Sequence, residues 1–216
     1  MKNQFFCSLV ALSMFGLSGC GSGLSKSTAG SDDGGSTTPA YKKIFVTDVT
    51  FLGDFKTLGA GATGIAGADN LCMQNTNHPG SGTYKAMLAD GVVRIACTTA
   101  DCSGGVSEHT NWVLAPNTEY RRLDETTVIG TTTASGIFAF PLDNTVVDGS
   151  TPEANGIWTG LDLDWTSHAT NCLGFESSSG ANSAMAGVSY VDSVNTIQNG
   201  GGASCSFGQR LYCVEQ

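Results

Sequence analysis

The sequence predicts an α+β domain, or a mostly β one, rich in loops and stapled by disulfides. Three observations carry that expectation. Glycine supplies 29 of 216 residues, and with Ser, Thr and Asn it fills the stretches between short apolar runs, which is turn and loop chemistry. A single segment repeats apolar residues at helical spacing, whereas several short runs have strand character. Six cysteines, Cys72, Cys97, Cys102, Cys172, Cys205 and Cys213, lie beyond residue 40.

Residues 1–19 read as a lipoprotein signal peptide. Lys2 is their only charge, and from Phe5 to Leu17 the chain is mainly apolar. This is a charged start and an apolar run shorter than a spanning helix needs. Leu17-Ser18-Gly19-Cys20 is a lipobox: small residues let a peptidase reach the backbone at the cut, and the Cys20 thiol carries the diacylglycerol. Cys7 leaves with the signal. More than one acyl chain on the new N-terminus makes a stable anchor, so membrane attachment through Cys20 is expected. The expected location is the cell envelope, at the outer membrane with the domain surface-exposed. Beyond Cys20, residues 20–40 are Gly, Ser, Thr and Ala with Lys26, Asp32, Asp33, Pro39 and a single Leu24. Their apolar surface is too small to offset the entropy of ordering them, so they read as a flexible tether.

Residues 41–216 suit one domain. Without Lys2 the chain keeps 9 basic and 19 acidic side chains, a net charge of −10. That argues against nucleic acid, which needs a basic stripe against its phosphates, and suits basic partners.

Within the domain, Lys43 to Phe51 alternates apolar and polar residues as a strand does. Thr63 is placed to cap a helix starting near Ile65, with Ile65, Ala68, Leu71 and Cys72 on one inward face. Asn75 to Gly82 is turn chemistry around Pro79-Gly80. Tyr84–Leu88, Asn111–Leu114, Ile137–Phe140, Ile157–Leu161, Met185–Val191 and Gln209–Val214 follow as short ordered, strand-like runs. Leu211 and Tyr212 should alternate across the last strand with one face inward.

An even cysteine count in an exported chain implies disulfides, with fifteen pairings open to six cysteines. Cys97 and Cys102 are close enough to form a local bridge. There is no Cys-x-x-Cys pair, and His78, His109 and His168 are scattered, so a zinc site is not expected.

Three segments together resemble a known family. They are Gly67-Ala68-Asp69-Asn70-Leu71-Cys72 followed by Gly82-Thr83-Tyr84-Lys85-Ala86-Met87-Leu88, then Trp158-Thr159-Gly160-Leu161, then Cys205-x7-Cys213-Val214-Glu215. In this order they resemble the endostatin-like branch of the C-type lectin-like fold, and in particular the leptospiral endostatin-like surface lipoproteins, a domain family of largely unassigned function. The resemblance covers roughly residues 41–216. It implies a domain with short helices and a small antiparallel sheet, with Cys72 bonded to Cys213, Cys172 to Cys205, and Cys97–Cys102 as an extra local staple. Trp158 and Leu161 by themselves read as core residues.

Sugar-binding members of the wider fold hold calcium with Glu-Pro-Asn or Gln-Pro-Asp and Trp-Asn-Asp triplets, which this chain lacks, as it lacks the histidine-rich zinc start of endostatin. Calcium needs six to eight oxygens. Asp162 and Asp164 are the best remaining pair, since alternate strand positions share a face, but a solvated loop edge is the weightier reading and no metal or cofactor is expected.

No Gly-x-Ser-x-Gly elbow, His-Glu-x-x-His or phosphate loop occurs. Gly59-Ala60-Gly61-Ala62-Thr63-Gly64 matches Gly-x-Gly-x-x-Gly by letter but lacks a βαβ context, so it reads as a glycine-rich loop. His109 and His168 are unpaired by any motif, as are Asp54, Asp124 and Glu125. Arg121-Arg122 would suit an anion but reads first as a strand edge. An enzyme is the least favoured class.

The favoured expectation, implied by the resemblance, is an adhesin-like binding module for host extracellular-matrix or plasma proteins such as laminin, fibronectin, plasminogen or complement factor H. The alternatives are a calcium-independent lectin stacking sugars on Trp112, Trp158 or Trp165, and a structural envelope lipoprotein.

Overall fold

In the computed structural model, which describes residues 41–216, the fold is built on a five-stranded sheet in the order β2-β9-β1-β3-β4. The expected signal peptide, lipidated Cys20 and tether fall on residues 1–40, outside the described residues. The strands are β1 (Tyr41–Val46), β2 (Tyr84–Ala86), β3 (Glu119–Arg121), β4 (Val128–Thr131) and β9 (Tyr212–Glu215). All neighbours are antiparallel except β1 and β3. Two further antiparallel pairs join β5 (Gly156–Trp158) to β7 (Ala186–Val188), and β6 (Ser183–Ala184) to β8 (Ala203–Ser204). Two helices, α1 (Phe55–Leu58) and α2 (Gly64–Gln74), precede β2. The domain is thus a loop-rich, disulfide-stapled α+β fold. Among the described residues no helix is long and apolar enough to cross a membrane.

The sheet separates two cores, and period-two alternation sorts residues between them. On β1 and β9, Ile44, Val46, Tyr212 and Val214 enter one cluster with Val113, Leu114, Ile129, Ile137, Leu161 and Trp165. Phe45, Leu211 and Cys213 enter the other with Phe55, Ile65, Ala68, Leu71, Cys72, Trp158 and Phe175. Leu211 and Tyr212 are therefore both fully buried. This corrects the expectation of a single inward face: loops cover the side of the sheet that α2 does not.

Thr63 accepts from the Ala66 N–H at 3.2 Å and caps α2, whose Ile65, Ala68, Leu71 and Cys72 all face inward. The glycines ahead of it serve packing. A Cβ on Gly59 would stand 2.1 Å from the Gly67 carbonyl oxygen, and one on Gly61 would stand 2.2 Å from the Gly67 nitrogen. Only glycine lets that loop lie against α2 so closely.

The six cysteines join as Cys72–Cys213, Cys97–Cys102 and Cys172–Cys205. The first ties α2 to β9, the strand between β2 and β1. Asn111–Leu114 and Ile137–Phe140 form no regular strand. Their apolar residues Val113, Leu114, Ile137 and Phe138 are buried, so they are core loops whose pattern reports burial rather than pairing. β3 and β4 run instead through Glu-Tyr-Arg, which pairs with β1, and Val-Ile-Gly-Thr, whose β-branched residues favour a strand and which pairs with β3.

Candidate functional site

Two turns meet at one cleft. The first starts at Asp90, whose carboxylate accepts from the N–H groups of Val92, Val93 and Arg94 at 3.0, 2.8 and 2.9 Å. With that backbone occupied internally, the Val92 side chain points into solvent, 79% exposed. The second runs through Cys172, Leu173, Gly174 and Phe175, whose φ values are 53°, 58°, 71° and 58°. These are consecutive left-handed residues, not a right-handed helix, and each non-glycine among them costs about 1–2 kcal/mol.

Such strain persists only where the surroundings over-determine it, and here they do. Cys172 is bonded to Cys205. The Asn171 side-chain oxygen accepts from the Gly174 N–H at 2.9 Å, and the Phe175 N–H donates to the Asn171 carbonyl at 2.7 Å. Phe175 is fully buried and stacks on Phe55 with ring centroids 5.4 Å apart. The consequence is that Leu173, between two anchored neighbours, is held 69% exposed. The Asn171 amide nitrogen also donates to the Asp90 carbonyl at 2.7 Å, joining the two turns. Between them lies a cleft of about 460 Å³ lined by Val92, Val93, Leu173 and Gly174, with Thr63, Asp90, Asn171 and Glu176 at its polar margin.

Behind the first turn stands Arg94, fully buried. Its guanidinium donates to both oxygens of Asp69 at 2.9 and 2.8 Å, to the Ala86 carbonyl at 2.6 Å and to the Asn111 carbonyl at 2.8 Å. Asp69 also accepts from the Ala86 N–H. The Gly-Ala-Asp and Tyr-Lys-Ala segments are thereby linked through one cation, which fixes the base of the Asp90 turn to α2 and β2.

The other sequence candidates are spent structurally. Asp54 caps α1 through the Thr57 N–H. Glu125 pairs with Lys43 at 3.1 Å and accepts from the Tyr41 hydroxyl. Arg121 donates to Glu119 and lies over the Tyr41 ring, while Arg122 donates to the Thr145 carbonyl. His78 accepts from the Gly80 N–H. His109 is half-buried with Nε2 at 3.7 Å from Cys102 Sγ, and burial lowers its pKa.

Asp162 and Asp164 do not share a strand face, a correction to the premise on which calcium was weighed. They lie in a tight turn closed by the Leu161–Ser167 bridge. Asp162 meets His168 Nδ1 at 2.7 Å and accepts from Gln198 at 3.2 Å, while Asp164 caps the Thr166 N–H and hydroxyl. Among the described residues no three His, Cys, Asp or Glu side chains gather as a metal site. Trp158 and Trp165 are buried, so of the three tryptophans considered for sugar stacking only Trp112 is partly exposed.

Sequence reasoning missed Val92 and Leu173. The available signals were the Asp-Gly turn at residues 90–91 and the Asn171-x-x-Gly174 cap pattern around an isolated leucine.

A carboxylate also braces the loop after the cleft. Glu108 accepts from the N–H groups of Thr98, Thr99 and Gly104 and from the hydroxyls of Thr98 and Thr99. The Thr99 hydroxyl leads the donors that hold its pKa down to about 2, from an ordinary 4.5. A depressed folded pKa means that this stabilisation is fully present above about pH 4.5 and is lost as pH falls through about 2. Replacing Glu108 with glutamine should therefore flatten the acid limb of the stability profile in that window, read as the urea midpoint against pH. An acid limb identical to that of the parent protein would show that the brace contributes nothing.

Residues 56–192, more than half of the chain, match the model of a family described as "Protein of unknown function (DUF1554)". No curated protein matches the chain.

Proposed function

We propose that this chain, which belongs to the DUF1554 family, is a lipid-anchored bacterial surface lipoprotein that works as an adhesin-like binding module. Its ligands would be host extracellular-matrix or plasma proteins such as laminin, fibronectin, plasminogen or complement factor H. The lipobox at Cys20, the tether of residues 20–40 and the resemblance to leptospiral endostatin-like lipoproteins support this reading. The observation that carries it is the Val92–Leu173 cleft. Two apolar side chains held in solvent, Val92 on the hydrogen-bonded Asp90 turn and Leu173 on a strained, cross-linked one, are costly to maintain and suit a protein-binding patch. Their rigidity also lowers the entropy lost on binding.

The test is capture of the oxidised protein by the four immobilised ligands, with a reduced and alkylated control. Saturable binding abolished by reduction is expected. Leu173→Asn keeps a residue tolerant of the left-handed region and removes the apolar tip, so folding stability should hold. Burying a leucine is worth about 1.5–3 kcal/mol, so affinity should fall by about ten- to a hundredfold. Equal affinity in that variant would remove the cleft from the binding surface, and failure to bind any of the four ligands would defeat the reading as a whole.

A further inference from the structure

β1 and β3 pair only as far as Lys43 and Arg121, whereas β1 stays paired to β9 as far as Val46. Where β3 leaves, a groove of about 290 Å³ opens over Ile44 and Val46 and is walled by Leu123, Val146 and Val147. Its rim carries the carboxylates of Asp124, Asp148 and Glu153 against the single guanidinium of Arg122, which is itself turned onto the Thr145 carbonyl. Three negative charges against one leave the rim at −2.

This combination selects its occupant. An anionic ligand is repelled by the rim. Asp124 and Asp148 accept from neutral donors of their own turns, Thr126, Thr127 and Ser150, so their charge has no cation among those donors. A wholly apolar ligand would remove water from them without supplying one, which is costly. A lysine or arginine side chain satisfies both requirements, because its alkyl stem packs on apolar surface while its cationic head stays among polar groups. The whole chain's net charge of −9 would draw a basic partner toward it.

We propose that this groove receives a lysine or arginine side chain of a partner polypeptide, its stem on Val146 and Val147 and its head between Asp148 and Glu153. The inference rests on reading the chain as a protein-binding module and adds a second contact site, separate in residues from the Val92–Leu173 cleft.

The test is titration of the whole oxidised protein, followed by amide NMR, with three capped glycine-flanked peptides whose central residue is lysine, norleucine or glutamate. The lysyl peptide should shift the amides of Leu123, Val146 and Val147. It should also bind about tenfold more weakly to the Asp148→Asn/Glu153→Gln double variant, with reduced salt dependence. Norleucyl binding as tight as lysyl, shifts confined to other residues, or no lysyl binding would each overturn the proposal. Leu173→Asn should leave lysyl binding unchanged. Lysyl binding in a protein that captures none of the four host ligands would uphold the groove and defeat the wider functional reading.

Discussion

Asp69→Ala is expected to destabilise the domain by about 3–5 kcal/mol, the range for breaking a buried ion pair by removing one partner. Arg94 has no exposed side-chain surface, and Asp69 has 21%. With the carboxylate gone, the cation stays buried with only the Ala86 and Asn111 carbonyls to meet its donors. The Ala86 N–H loses its acceptor as well. Arg94→Met keeps much of the stem and removes the charge, so the double variant Asp69→Ala/Arg94→Met should lose less than the two single losses added together. Urea unfolding of the three variants measures this. A loss below about 1 kcal/mol in Asp69→Ala would show that water reaches Arg94 and that the pair does not anchor the Asp90 turn.

Removal of Cys72–Cys213 should be nearly as damaging, at about 2–5 kcal/mol. The two residues lie 141 apart in sequence, and a cross-link over a longer loop removes more freedom from the unfolded chain. The bond also fastens the helix carrying Asp69 to β9, the strand that β1 and β2 both use. Paired alanine substitutions should rank the losses by loop length: Cys72–Cys213 first, then Cys172–Cys205 at a separation of 33, then Cys97–Cys102 at 5. Thermal unfolding of the three variants reads this order. A loss for Cys97–Cys102 as large as for Cys72–Cys213 would show that local geometry around the bond, not chain entropy, sets the contribution. The Cys172–Cys205 variant has a second readout, because it frees the strained turn and should weaken ligand capture beyond its effect on stability.

Parts of this architecture follow from neighbours in the chain. Thr63 and the face Ile65, Ala68, Leu71 and Cys72 are enough to place α2, because capping and helical periodicity act over three or four residues. The short apolar run Leu211–Val214 is enough to mark the last strand, though not to show that both its faces are buried. The count of six cysteines, with the lipobox ahead of them, is enough to make disulfides the expected framework.

What depends on distant groups meeting was settled only on folding. β1 pairs with β3 across 78 positions at Tyr41 and Glu119, and nothing in Glu-Tyr-Arg announces a strand until that edge is offered to it. Arg94 reads as an ordinary basic residue until Asp69, Ala86 and Asn111 close around it. Nothing local marks Leu173, which becomes an exposed tip because Cys205 and Phe55 hold its neighbours Cys172 and Phe175 in the left-handed region. Local preferences are worth tenths of a kcal/mol to about 1 kcal/mol per residue, whereas buried pairs and cross-links are worth several. Where the two compete, as they do at the Leu173 turn, the long-range contacts prevail.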